Sequence, residues 1–178
     1  AEVGLMARKI ASAIDSYNLP EKSHIGLISK NCREWVIADL AIMMSGHISV
    51  PFFPTLKSYE LENLIDFGEV KLLFAGKLEN WEEQSKGVKN IPIISFPNYK
   101  NHSAIPNSAN WNELLSKFEP KTDNYHPKLK DILLMSAKNK LKLYDGDSTE
   151  EIKKIGNIKS QYTRNKKLAI VHTNYYLN

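Results

Sequence analysis

The sequence predicts an α/β protein with a mostly parallel sheet and flanking helices. Short apolar runs of strand length alternate with helix-length stretches from residue 24 to residue 118. The first two runs enclose a helix that lacks a broad polar face and is followed by Gly46. Strands that are separated by a single helix are expected to be parallel, with a right-handed crossover.

The chain opens with an amphipathic helix. Apolar residues recur at steps of three and four over residues 2–17, at Val3, Met6, Ala7, Ile10, Ala13 and Ile14. This period places them on one helix face, so we expect the helix to pack against a core. Asn18, Pro20 and the polar residues 21–23 predict the turn that leads into the first strand.

Residues 24–45 predict a strand followed by a buried helix. Residues 24–29 are too short and too poor in helix signals to be helical, so they predict a strand. Asn31, with Glu34 three residues later, predicts a capping box at the start of a helix over residues 32–45. Only three charged residues interrupt that helix, so we expect it to be largely buried.

A second strand is predicted directly after this helix. Gly46 can adopt the left-handed conformation that ends a helix. Residues 47–50 are then expected to form a strand that Pro51 and Pro54 halt, because proline lacks the amide donor that a central strand needs. His47, at the start of this strand, is interpreted as a structural residue.

The same alternation continues along the chain. Ser58 is the predicted cap of a helix over residues 59–67, which Gly68 ends. Residues 70–75 and 91–96 predict two further buried strands, and residues 77–86 predict one or two exposed helical turns around Trp81.

The last predicted helix lies before a proline-bounded crossing. Residues 98–108 are polar and predict a surface loop, and Asn110 is expected to cap a helix over residues 111–118. Residues 120–127 predict a linker. Over the residues before it, the alternation of strands and helices favours a doubly wound α/β layer structure.

Composition is that of a globular domain. The chain has 178 residues, 42% of them hydrophobic and 25% charged, which favours neither disorder nor a membrane class. No apolar run approaches the roughly 18 residues of a spanning helix, and a lone Cys32 excludes an internal disulfide, so we expect a soluble, cytoplasmic protein. Ala1 stands in place of an initiator Met, and no signal peptide is visible, so we expect the chain to begin inside a longer protein.

Charge divides the chain into two parts. Residues 1–127 hold 13 Lys and Arg against 15 Asp and Glu, whereas residues 128–178 hold 11 against 5. We therefore expect an α/β part over residues 1–127 and a divergent basic tail over residues 128–178, either partly disordered or frameshifted.

One family combines these features in the same order. Residues 31–55, NCREWVIADLAIMMSGHISVPFFPT, resemble the N-terminal region of the AMP-binding, adenylate-forming acyl-CoA synthetases, especially the long-chain fatty acid ligases. The matching positions are Asn31, Glu34, Trp35, Asp39, Gly46, Val50, Pro51 and Thr55. The stretches ELENLIDFGEVKLLFAG at 60–76, ISFP at 94–97 and WNELL at 111–115 resemble successive parts of the same region.

The resemblance implies a partial large domain of an enzyme that uses ATP, Mg²⁺ and CoA. Such enzymes activate a carboxylate, here a fatty acid, as an acyl-adenylate, and a thiol then displaces AMP. We also expect peripheral membrane contact, and no nucleic acid partner.

The family's glycine-rich phosphate loop is absent where the resemblance places it. Residues 131–136, DILLMS, resemble the strand before that loop, but Ala137, Lys138, Asn139 and Lys140 follow in place of Gly and Thr. Lys167 and His172 resemble residues of the stretch that follows the loop and are the candidate nucleotide-binding residues. The alternative is that they are ordinary surface residues of a divergent or frameshifted tail. We expect no catalytic residue and no metal ligand in this chain, and therefore no activity from it alone.

Other interpretations are less well supported. Asp145, Asp147 and Glu150 lie close together without the spacing of a calcium loop, which favours a solvated turn. The basic tail carries Tyr162, Tyr175 and Tyr176 but no nucleic-acid-binding motif, and no predicted strand leads into a dinucleotide-binding glycine pattern. A non-catalytic α/β binding or interaction module with a basic tail is the main alternative to a ligase fragment.

Overall fold

A computed structural model describes residues 1–126 and the backbone of two short strands at residues 136–138 and 140–142. The helices are α1 (Glu2–Asp15), α2 (Arg33–Met44), α3 (Ser58–Phe67), α4 (Trp81–Gln84, continued by a 3-10 turn over Ser85–Gly87) and α5 (Trp111–Lys117). The strands are β1 (His24–Ser29), β2 (Ile48–Phe52), β3 (Val70–Gly76), β4 (Ile93–Ser95), β5 (Ala109–Asn110), β6 (Ser136–Lys138) and β7 (Lys140–Lys142).

Five of the strands form a parallel sheet in the order β2-β1-β3-β4-β5. The chain moves from β1 outward to β2 and then returns across β1 to β3, so the strand order reverses between β1 and β3. β6 and β7 form a separate antiparallel pair. The predicted α/β class with a mostly parallel sheet is confirmed.

Helices cover both faces of the parallel sheet. One core cluster joins α1, α2 and α5 to alternate residues of β1, β3 and β4, and it includes Ile10, Ile25, Ile42, Phe74 and Trp111. The other joins α3 and α4 to the opposite faces of the strands, and it includes Val50, Leu61, Leu73 and Trp81. Because β1 and β3 are covered on both faces, their side chains are almost all buried, as is typical of parallel strands.

Two of the predicted helix boundaries are confirmed in detail. Gly46 has a φ of 79°, and its amide donates to the carbonyl of Met43 at 3.1 Å while the amide of His47 donates to that of Ile42 at 3.1 Å, which is a Schellman ending. The Asn110 side chain accepts from the amides of Asn112 at 2.9 Å and Glu113 at 3.4 Å, as expected for a cap.

The predicted capping box at the start of α2 is wrong. Cys32 rather than Asn31 precedes the helix, and within the described residues no side chain bonds the first-turn amides as a cap. The Glu34 carboxylate instead accepts from Arg33 Nε at 2.7 Å and from the Tyr99 hydroxyl. A charge-assisted bond to a guanidinium is stronger than one to a neutral amide, which favours the bond to Arg33 over one to the amide of Asn31.

β2 extends beyond its predicted end. The strand continues through Pro51 to Phe52, because in the described sheet β2 pairs with β1 alone. A proline is tolerated on such an edge, where its missing amide removes no bond from the sheet.

Smaller differences also have local causes. Lys57 precedes α3 in place of the predicted Ser58, and its amide donates to Glu60 Oε2 at 2.9 Å. Trp81, predicted to lie on an exposed turn, is only 2% exposed because Leu78 and α4 fold back onto the sheet. β5 was not predicted, since two residues give no periodic pattern.

None of the helices within the described residues combines the length and apolar character that a membrane crossing requires.

Candidate functional site

The carboxyl ends of β1 and β3 form the edge of the sheet at which open α/β proteins usually bind ligands, because the strand order reverses there. β1 ends at Ser29 and β3 at Gly76, and α2 begins beside them. The loops that follow these strands and β4 bring Cys32, Lys77 and Tyr99 to this edge. We call this group, with Arg33 and Glu34, the carboxyl-edge cluster.

Glu34 lies at the centre of the carboxyl-edge cluster and is 2% exposed. Its burial raises the pKa of the carboxyl group, but hydrogen bonds from Arg33 and Tyr99 outweigh burial and hold that pKa below its usual value. Burial and the bond to Glu34 both raise the pKa of the Tyr99 hydroxyl. At neutral pH the pair is therefore a carboxylate that accepts from a protonated phenol.

The remaining polar groups of the cluster are also engaged. The Lys77 ammonium donates to the carbonyl of Asn31 at 2.7 Å and lies 5.1 Å from the centre of the Tyr99 ring. Cys32 Sγ lies 3.6 Å from Ser29 Oγ. These contacts join the loops after β1, β3 and β4 to the start of α2.

A cleft lies at the opposite, amino edge of the sheet. Its volume is about 430 Å³, and its lining includes Asp15, Lys22, Gly46, His47 and Tyr125. His47 is 7% exposed, and its Nδ1 has no hydrogen-bond partner within the described part of the chain. Burial lowers the pKa of His47; Asp15 acts in the opposite direction, and Lys121 and Lys22 lower that pKa further.

The predicted nucleotide-binding residues cannot be placed at either edge, because they lie in the part of the chain that the structure does not describe. Lys167 and His172, the predicted nucleotide-binding pair, lie outside the described residues, as do Asp145, Asp147 and Glu150. Trp35 and Trp81 pack against the two core clusters. Tyr99 was missed, since an aromatic residue within a polar loop was the only signal for it in the sequence.

The described residues do not fit a Mg²⁺–ATP site. Among them no group of three or more His, Cys, Asp or Glu side chains could hold a metal ion. At the carboxyl edge, where a nucleotide would be expected in this fold, the Glu34 carboxylate accepts a hydrogen bond from the Tyr99 hydroxyl.

Comparison with known proteins identifies the family to which this sequence is related. Residues 1–136 match the AMP-binding enzymes, and this stretch includes the whole five-stranded sheet. The chain belongs to the AMP-binding enzyme family. The predicted resemblance to the N-terminal region of acyl-CoA synthetases is thereby confirmed.

Two curated relatives of this AMP-binding chain are fatty acyl-CoA synthetases by name. It is 37% identical over 68 residues to long chain acyl-CoA synthetase 2 of Arabidopsis thaliana and 30% identical over 69 residues to fatty acyl-CoA synthetase A of Dictyostelium discoideum. These stretches cover 38% and 39% of this chain but only 10% of each relative.

Solved structures share the fold of this AMP-binding chain at low sequence identity. A benzoate CoA ligase from Burkholderia xenovorans has a TM-score of 0.65 at 15% identity, covering 75% of this chain and 26% of that one. A long-chain-fatty-acid-CoA ligase from Archaeoglobus fulgidus has a TM-score of 0.60 at 19% identity, covering 76% of this chain and 26% of that one. The described α/β layer therefore corresponds to about a quarter of such a ligase.

Proposed function

We propose that this chain is part of a ligase that joins a long-chain fatty acid to CoA at the expense of ATP, through an acyl-adenylate. The match of residues 1–136 to the AMP-binding enzymes carries the proposal. The names of the two curated relatives support a fatty acid as the substrate. ATP, Mg²⁺ and CoA are the cofactors that this reaction requires, and a cytoplasmic location with peripheral membrane contact suits its substrate.

We further propose that the chain supplies scaffold and does not turn over alone. Adenylation requires donors that position and neutralise the phosphates, since phosphoryl chemistry depends mainly on positioning and charge stabilisation. The glycine-rich loop that would supply them is absent from the sequence. Lys167 and His172 remain the proposed nucleotide-binding residues, and the carboxyl-edge cluster serves to hold loops together.

Pyrophosphate release tests this proposal. The 178-residue chain, incubated with ATP, Mg²⁺, CoA and palmitate, should release no more pyrophosphate than the same mixture without protein. A complete acyl-CoA synthetase assayed in parallel provides the positive control. Palmitate-dependent release from the chain above that blank would refute the proposed inactivity.

The alternative is a non-catalytic binding or interaction module whose basic tail contacts acidic groups, and it rests on the excess of 11 Lys and Arg over 5 Asp and Glu in residues 128–178. The genomic sequence downstream of the codon for residue 130 distinguishes the two functions. A reading frame that restores the phosphate loop and the rest of a ligase supports the fragment, whereas a stop codon after Asn178 in independent copies supports the module.

A further inference from the structure

A segment that follows α5 closes the amino edge of the sheet. We call residues 119–126 the strap. The amide of Lys121 donates to the carbonyl of Arg8 on α1 at 3.1 Å, and the amide of Tyr125 donates to the carbonyl of Met44 at the end of α2 at 2.9 Å. The strap is therefore tied by its backbone to two neighbouring helices.

Side chains of the strap reinforce these two backbone bonds. Lys121 forms an ion pair with Asp15 at the end of α1, and Lys22 donates to the Tyr125 hydroxyl. The ring of Tyr125 lies so close to Gly46 that a Cβ there would be 3.2 Å from two ring atoms. The strap thus forms one wall of the amino-edge cleft.

His47 lies in this cleft, where few neighbouring groups could stabilise a positive charge on its ring. The charged groups around it are Asp15 of α1, Glu21 and Lys22 of the turn before β1, and Lys121 of the strap. Asp15 already pairs with Lys121. The polar neighbours Ser45 and Tyr125 carry no charge at neutral pH, and His24 on the adjacent strand bonds the Gly68 carbonyl at 2.5 Å through its Nδ1.

We propose that His47 is a pH-sensitive latch whose protonation releases the strap from the ends of α1 and α2. A protonated ring at this position is buried, has an Nδ1–H without an acceptor in the described structure, and lies near two ammonium groups. Opening of the strap exposes the ring to water and moves Lys121 away, so the charged form favours the open state.

The sign of the effect follows from linkage. A histidine whose pKa is lower in the closed state than in the open state stabilises the closed state fully above the open-state pKa. That stabilisation is lost as the pH falls from the open-state pKa through the closed-state pKa. This inference does not depend on the proposed ligase activity.

Amide hydrogen exchange on the full 178-residue chain tests the latch. Protection factors for the Lys121 and Tyr125 amides should fall between about pH 7.5 and about pH 5.5, by up to about tenfold for each pH unit below the open-state pKa. Protection of β1 and β3 should stay constant. The variant H47Q should lose this dependence, whereas H126Q, which replaces the histidine of the strap itself, should keep it.

Titration of the His47 ring followed by NMR gives a readout that needs no variant. The midpoint of strap opening in the unmodified chain should coincide with the ring titration of His47. The latch is refuted by strap protection that does not change with pH, by an unchanged dependence in H47Q, or by a midpoint that follows another histidine.

Discussion

At the scale of single residues, Tyr99 supplies one of the two side-chain donors to the buried Glu34 carboxylate. Replacing Tyr99 by Phe keeps the ring but leaves a carboxylate oxygen without that donor. We expect Y99F to lower the free energy of unfolding by about 1–3 kcal/mol, the usual cost of an unsatisfied buried group. Urea unfolding at neutral pH measures this change.

Tyr59 offers a matched control, because its ring is 59% exposed. Y59F should change the free energy of unfolding by less than about 0.5 kcal/mol. The pKa of Glu34 is held below its usual value in the folded state, so this stabilisation is present above the unfolded pKa and is lost as the pH falls through the folded pKa. The difference between the wild type and Y99F should therefore narrow in acid; a difference that widened in acid would contradict the assigned hydrogen bond.

Two features favour glycine at position 46: its positive φ and the close approach of the Tyr125 ring. An alanine there must adopt a φ of 79° and place its Cβ 3.2 Å from the Tyr125 ring. We expect G46A to destabilise the chain by at least about 1–2 kcal/mol, the cost of a left-handed conformation for a residue with a Cβ.

The same substitution at Gly4 is expected to have the opposite effect on stability. Gly4 lies in α1, and a Cβ built on it meets nothing within 4 Å. G4A should raise the free energy of unfolding by up to about 1 kcal/mol, because alanine is the better helix former. Equal thermal unfolding midpoints for G46A and G4A would show that the strap does not pack as described.

At the scale of secondary structure elements, Asn31 and Asn110 lie before helices but differ in what they cap. Asn110 accepts two first-turn amides of α5, whereas the α2 start has no such bond from Asn31. N110A should therefore cost about 1 kcal/mol of stability, and N31A should cost less than about 0.5 kcal/mol. Urea unfolding midpoints of both variants check this. A loss of stability in N31A equal to that in N110A would support the capping box predicted at Asn31.

The elements themselves were predictable from the sequence to different degrees. β1, β3 and α2 are long or continuously apolar, so their pattern alone predicts them. The ends of elements depend on partners that the pattern does not contain. In the described sheet β2 pairs with β1 alone, so Pro51 does not end it, and Glu34 bonds Arg33 and Tyr99 in place of the predicted capping box. β5 exists because β4 lies beside it, which no two-residue pattern can indicate.

At the scale of the whole molecule, alternation of strands and helices predicted a parallel sheet, and the order of motifs over residues 31–115 predicted the family. The carboxyl-edge cluster could not be predicted in the same way. Glu34 and Tyr99 are 65 residues apart in sequence, and only the return of the chain through β3 and β4 brings them together. The strap was predicted as a linker because its contacts with α1 and α2 are also long-range.

The position of β1 between β2 and β3 has a consequence for the time at which the sheet can form during synthesis. β1 ends at Ser29 and β3 begins at Val70, so one edge of β1 has no partner until about 40 more residues have been made. At roughly 5–20 residues per second, that takes on the order of 2–8 s. During that interval an almost wholly apolar strand has an open edge, and we expect ribosome-associated chaperones to engage the nascent chain before β3 emerges.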